Sequence, residues 1–172
     1  MLDAIQKSFP QTFANACLQT LTEVELHIYD TDEKRCEIQT EPEGIVHFTV
    51  ENPAAQDIHF LAIDKCLLFD NDEIQRCDCA IFNHKVFCFV EIKEVDHAAR
   101  RADQNRKAKE QLKNTIRLFK EQLTFTTRHL EAYACVGRTT PRPARLASDL
   151  NDRLEFEDLG ATFYHGNIKR FG

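Results

Sequence analysis

The chain has 172 residues, 42% hydrophobic and 29% charged, with 13 Phe and no Trp. That length suits a single domain with a real core and needs no disulfide or metal staple. No apolar run approaches the roughly 20 residues that span a bilayer, so a membrane partner is not expected.

Residues 1–13 lack a basic stretch followed by an apolar one, so no export signal is read there. The seven cysteines (Cys17, Cys36, Cys66, Cys77, Cys79, Cys88 and Cys135) are odd in number. Together these imply reduced thiols and a cytoplasmic location. Charge is unevenly spread. Residues 1–99 carry 19 Asp and Glu against 7 Lys and Arg, whereas residues 100–172 carry 9 against 15. The acidic part suits a metal or a basic partner and the basic part a polyanion, although two solvated charged faces would look the same.

In chain order, Ser8-x-x-Gln11 with Pro10 in the first turn predicts a helix from Ser8 to about Leu21. Short strands are expected over 24–29, 36–39 and 45–50, then a longer buried strand over 58–69 with a bend near Asp64. Strands over 76–82 and 86–95 follow, joined by Asn83-His84-Lys85. The period then changes from two to 3.6, predicting a helix from Ala98 to Leu123. A strand over 131–137, a helix around 144–154 and a last strand over 161–165 complete the chain. Pro141 and Pro143 mark a turn rather than a domain boundary. This is an α/β (α+β) pattern: one domain over 1–172, a central mixed sheet flanked by helices, and extra amino-terminal β elements.

The hairpin is the chemically informative part. Glu91 and Lys93 are two apart on a strand and share one face. A four-residue loop over 83–86 sets Phe82 opposite Phe87, Ala80 opposite Phe89 and Asp78 opposite Glu91. Directly opposed side chains lie about 4.5–5.5 Å apart at Cβ. Two carboxylates that close repel, burial raises their pKa, and a divalent cation resolves the conflict. An edge-strand ion pair that blocks aggregation is the plain alternative.

Asp78, then Glu91-Ile92-Lys93 at the end of an apolar strand, resembles the PD-(D/E)XK nuclease superfamily, in its small bacterial members. The helical pattern Ala108-x-x-Gln111-Leu112-x-x-Thr115-Ile116 is similar to theirs. The Pro of the motif is absent, with Cys77 before Asp78. The resemblance covers residues 58–137, with 1–57 and 138–172 as elaborations. It implies a restriction-endonuclease-like fold, with Mg²⁺ or Mn²⁺ held by Asp78, Glu91 and the carbonyl of Ile92. Lys93 and Gln111 would orient water or phosphate. Glu23, Glu25 and Glu51 are candidates for an added amino-terminal acid. The implied activity is phosphodiester hydrolysis, on DNA rather than RNA, in bacterial antiviral defence or repair. A catalytically silent subunit, or a protein-binding regulator in a larger complex or homo-oligomer, is the alternative.

On the helix after the hairpin, advancing 100° per residue from Gln111, residues Ala108, Leu112, Ile116, Phe119 and Leu123 fall at about 60–140°. They form a core-facing stripe. Arg106, Lys109, Lys113, Arg117 and Lys120 form a basic stripe beside it, a candidate track for nucleic-acid phosphates. Arg138, Arg142 and Arg145 either touch phosphate or are ordinary loop charge. Cys77-x-Cys79 lacks the turn spacing of a zinc grip, and buried thiols are the expected state. Asp96-His97 reads as a helix start with an exposed His. No Gly-rich phosphate loop, G-x-S-x-G or H-E-x-x-H is present.

Overall fold

The computed structural model describes residues 1–41, 43–69, 75–95, 97–137 and 141–172. Helices α1 (Leu2–Ser8) and α2 (Gln11–Ala14) open the chain and lead into β1 (Leu18–Leu21). This corrects the expected Ser8–Leu21 helix. Ser8 ends α1, and its Oγ donates to the Gln122 carbonyl instead of capping a following turn. Pro10, which has no N–H to donate, separates the two short helices. Ala16, at φ +50°, then turns the chain into the strand.

Strands β2 (Glu25–Asp30), β3 (Cys36–Ile38) and β4 (Phe48–Glu51) lie close to their expected positions. Strand β5 (Ile58–Ala62) is shorter than the apolar run that codes for it. The N–H groups of Ile63 and Asp64 both donate to the Asp78 carbonyl, and Lys65 at φ +56° turns the chain away. Strands β6 (Cys79–Phe82) and β7 (Val86–Lys93) form the hairpin. Asn83 Oδ1 accepts from the N–H groups of Lys85 and Val86 and closes its loop. A short 3-10 turn leads into α3 (Arg101–Gln122), followed by β8 (His129–Val136).

The helix expected around 144–154 starts later. Residues Arg145–Leu146 form β9, and α4 spans Leu150–Asp158 behind an Asp149 cap that accepts from the N–H groups of Asn151 and Asp152. Strand β10 (Ala161–His165) matches expectation, and β11 (Ile168–Arg170) was not foreseen.

Among the described residues the main sheet has the order β1-β5-β6-β7-β8-β10-β9, and a smaller sheet the order β11-β4-β2-β3. Strands β7, β8 and β10 run parallel, whereas β5, β6 and β7 alternate in direction. The main sheet is therefore mixed.

The helices cover one face of it. Phe89 and Phe9 pack on Phe119 of α3, and Phe163 stacks on Phe156 of α4. Ala108, Leu112, Ile116, Phe119 and Leu123 are all buried, as their periodicity requires. The smaller sheet covers the other face, with Phe48 edge-on to Tyr133 and Lys169 paired to Glu131. No helix among the described residues is long and apolar enough to cross a membrane.

The cysteines depart in part from expectation. Cys17 and Cys66 form a disulfide that ties the start of β1 to the turn after β5. The other five are buried free thiols.

Candidate functional site at the strand ends

Strand directions decide which residues meet. Strands β5 and β7 end, and β6 begins, on the same edge of the main sheet. That edge gathers Asp64 just past β5, Asp78 just before β6, and Lys93 at the end of β7. Asp30, ending β2 of the smaller sheet, reaches the same place. A cavity of about 380 Å³ is lined there by Asp30, Lys34, Asp64, Asp78, Ile92, Lys93 and Glu94.

The hairpin register has Phe82 paired with Phe87, Ala80 with Phe89 and Cys79 with Val90. Extended by one pair, it puts Asp78 opposite Glu91. Asp78 Oδ2 accepts the Ile92 N–H at 2.5 Å. Burial pushes the Asp78 carboxyl up to about 7, against the pull of Lys93 and the Ile92 N–H. Glu91 is completely enclosed. Burial, then the Asp78 charge, holds its carboxyl well above the usual range. Its Oε1 is ion-paired with Lys93 Nζ, yet neither oxygen accepts an aligned hydrogen bond. Burial works to lower the Lys93 pKa, but Glu91 and Asp78 outweigh it and keep the ammonium protonated.

Helix α3 seals this arrangement from one side. Gln111 Nε2 donates to the Arg76 carbonyl at 2.8 Å, and Thr115 Oγ1 accepts the Cys77 N–H at 2.7 Å. Gln111 thus anchors the segment that carries Asp78. The water-positioning role implied for it finds its amide already engaged.

Sequence reasoning missed Asp30, Asp64 and their supports. Arg76, itself buried, pairs with Asp64 at 2.7 Å. His47 Nδ1 accepts the Asp30 N–H, and its Nε2 meets Glu94 at 3.1 Å. Burial raises the Asp30 carboxyl against the opposing pull of Lys34, and its Oδ1 is buried without a partner. Glu23, Glu25 and Glu51 lie elsewhere: Glu23 accepts the Thr22 N–H, Glu25 meets His27, and Glu51 pairs with Arg170. Asp30 is the acid from the smaller sheet that lines the cavity. Only the packing of one sheet on the other could have shown this.

Three of the five cations of the α3 stripe make contacts within the fold. Lys109 pairs with Asp152 at 2.6 Å, and Lys113, only 8% exposed, pairs with Glu110 and Glu155. Lys120 donates to the Leu159 carbonyl. These three lysines fasten α4 and its carboxyl end to α3. Arg106 is exposed and pairs with Asp103, while Arg117 is exposed and donates to Asn114. A helical wheel cannot show that α4 folds back over this face. Arg138 and Asp96 lie outside the described residues.

The donor set fits a divalent cation in number. Magnesium takes one or two protein carboxylates and completes its shell with water and phosphate. Asp78 and Glu91 supply two, and Glu91 has oxygens without aligned donors. Among the described residues no three His, Cys, Asp or Glu side chains already converge as a ligand set. Cys77 and Cys79 are buried free thiols, as expected of core residues. No protein-family model, curated protein or solved structure matches the chain. The likeness to the PD-(D/E)XK nucleases therefore rests on the motif itself.

Proposed function

We propose that the protein is a metal-dependent nuclease of the restriction-endonuclease-like class, acting on DNA in preference to RNA. One observation carries this reading. Two buried carboxyls, Asp78 and Glu91, face each other across a hairpin at a sheet edge, and Asp78 and the protonated Lys93 beside them line a cavity with Asp30, Asp64 and Glu94. Such a cluster is costly to bury. A structural ion pair would need one acid rather than two.

Asp78 and Glu91 would hold Mg²⁺ or Mn²⁺: Asp78 and Ile92 line the cavity, and Glu91 is enclosed beside it, paired with Lys93. A bound divalent cation supplies positive charge against the phosphate and lowers the pKa of water. Lys93, protonated, donates to the attacking water or to a phosphate oxygen, where a preorganised charge is most effective. A water oxygen bonds to phosphorus as the P–O ester bond breaks. The departing oxygen gains a proton, leaving one phosphate monoester and one hydroxyl. Gln111 and Thr115 act indirectly, by fixing the Arg76–Cys77 backbone.

Incubating the protein with DNA and RNA substrates in Mg²⁺, Mn²⁺ or EDTA tests the reading. Cleavage abolished by EDTA is expected. No cleavage with any metal, across single- and double-stranded substrates, defeats it. The second reading, a silent nuclease-fold subunit, draws on the Glu91–Lys93 ion pair, which occupies the carboxylate a cation would need.

A further inference from the structure

A second cavity, of about 550 Å³, opens on the same sheet edge beyond β7. It lies at the carboxyl ends of the parallel strands β8 and β10, where open α/β sheets place their ligands. Its neighbourhood with the acid cavity is direct. Val136, which lines it, pairs with Lys93 in the sheet register, and the Gly137 N–H donates to the Lys93 carbonyl at 2.6 Å.

The chemistry of this cavity is opposite in sign. Arg101, Arg142, Arg145 and His165 line it, and none of its lining residues is acidic. Among the described residues the three arginines form no ion pair, although most other cations here do. Arg101 Nε is buried and has no hydrogen-bond partner. The Arg101 guanidinium lies across Gly137, at φ +78°, and Nη2 is 3.0 Å from where a Cβ would stand. A side chain at 137 would push it aside.

Arg142 is held by its backbone. Its N–H donates to Asn167 Oδ1 and its carbonyl accepts the Asn167 N–H. Gly166, at φ +145°, lets the chain press so close that a Cβ would meet Ala144 Cα at 2.8 Å. Burial lowers the His165 pKa, which leaves a neutral ring beside three permanent charges.

Unpaired guanidinium groups around a concave site match the planar, multi-oxygen geometry of phosphate. We propose that this cavity binds backbone phosphates of the nucleic-acid strand whose scissile bond lies at Asp78. This rests on the nuclease reading for the identity of the strand. Arg101, Arg142 and Arg145 grip the chain beside the bond to be cut, and the acid cavity next to them receives the metal.

Binding in EDTA tests the cavity without requiring cleavage. Fluorescence anisotropy of a labelled oligonucleotide would be measured over a salt series for wild type, Arg101→Gln, Arg142→Glu, Arg145→Glu and the remote control Arg170→Glu. Each of the three cavity variants should weaken binding about tenfold or more. Each should also lower the salt slope by about 0.7 on a single strand or 0.9 on a duplex. Arg170→Glu should do neither, and all variants should keep the wild-type melting temperature within a few degrees.

Unchanged affinity in the cavity variants overturns the proposal, as does equal loss in Arg170→Glu. Saturable binding of pyrophosphate without oligonucleotide binding also overturns it, in favour of a small phosphate ligand. Loss of binding in the cavity variants, in a protein that never cleaves, would leave this site standing and defeat the nuclease reading alone.

Discussion

Two cavities share one edge of the main sheet and differ in almost every physical respect. The one at β5, β6 and β7 is lined by carboxyls, and burial raises the pKa of Asp30, Asp78 and Glu91. The one at β8 and β10 is lined by arginines that form no ion pair among the described residues. The first is costly to bury, because desolvation penalises the charged forms of its carboxyls. The second is exposed to its ligand and pre-shaped by backbone contacts around Gly137 and Gly166. Alternating strand direction gives the acid side residues from both strand starts and strand ends. On the basic side the parallel strands β8 and β10 contribute their ends, and the arginines come from the start of α3, the loop before β9 and β9 itself.

The largest effect should come from the acid side. Asp78→Asn, Glu91→Gln and Lys93→Ala should each lower cleavage by at least about 100-fold, the scale for losing one preorganised charged group. Binding in EDTA should stay near wild type. Wild-type cleavage in any of the three removes that residue from the mechanism, and a parallel loss of binding would mean the two cavities are not separable.

Stability should move the other way. The Asp78 pKa is raised from 3.8 to about 7, so the folded state holds a proton that the unfolded chain releases. Its contribution is therefore complete below about pH 4 and lost as pH rises through 7. The metal-free protein should melt lower at pH 8 than at pH 5.5. Asp78→Asn should flatten this dependence and stabilise the protein at pH 8 by up to about 4 kcal/mol. Glu91→Gln should act with the same sign. A melting temperature that rises with pH over this window would contradict the buried, uncompensated acid side. Millimolar Mn²⁺ at pH 8 should stabilise the wild type by about 2.7 kcal/mol at 100 times Kd, read as a higher melting point, and leave Asp78→Asn unmoved.

Much of the acid side was legible in the sequence. Alternation in 86–95 and a four-residue loop were enough to set Asp78 against Glu91, because a one-residue slip would move Phe87 and Phe89 to the opposite face of the sheet. The apolar stripe of α3 was equally readable. Asp30 and Asp64 were not, since they arrive through sheet stacking and strand order, which no local pattern encodes. The same holds for the Cys17–Cys66 link and for Arg101, which begins a helix and meets the ends of β8 and β10 only in three dimensions. The expected helix over Ser8–Leu21 failed for a local reason. The capping-box pattern was present, but Pro10 stood between two separate helices.

The basic stripe of α3 gives the sharpest internal control, with the smallest effects. Lys113 sits between Glu110 and Glu155, so Lys113→Glu sets three carboxylates together and loosens α4. It should cost about 1–3 kcal/mol, the scale of a hydrogen bond to a charged group, and lower the melting temperature by several degrees. Arg117 is exposed and donates to Asn114, so Arg117→Glu should stay within about 0.5 kcal/mol of wild type. If the cations that grip phosphate are those of the cavity, Arg117→Glu should also leave oligonucleotide affinity and its salt slope nearly unchanged. The same reversal at Arg145 should lower both. Equal losses at the two positions would mean that positive charge acts diffusely across the carboxy-terminal half. In that case the arginine cavity would have no special standing, and the difference between the two cavities would lie in the acid side alone.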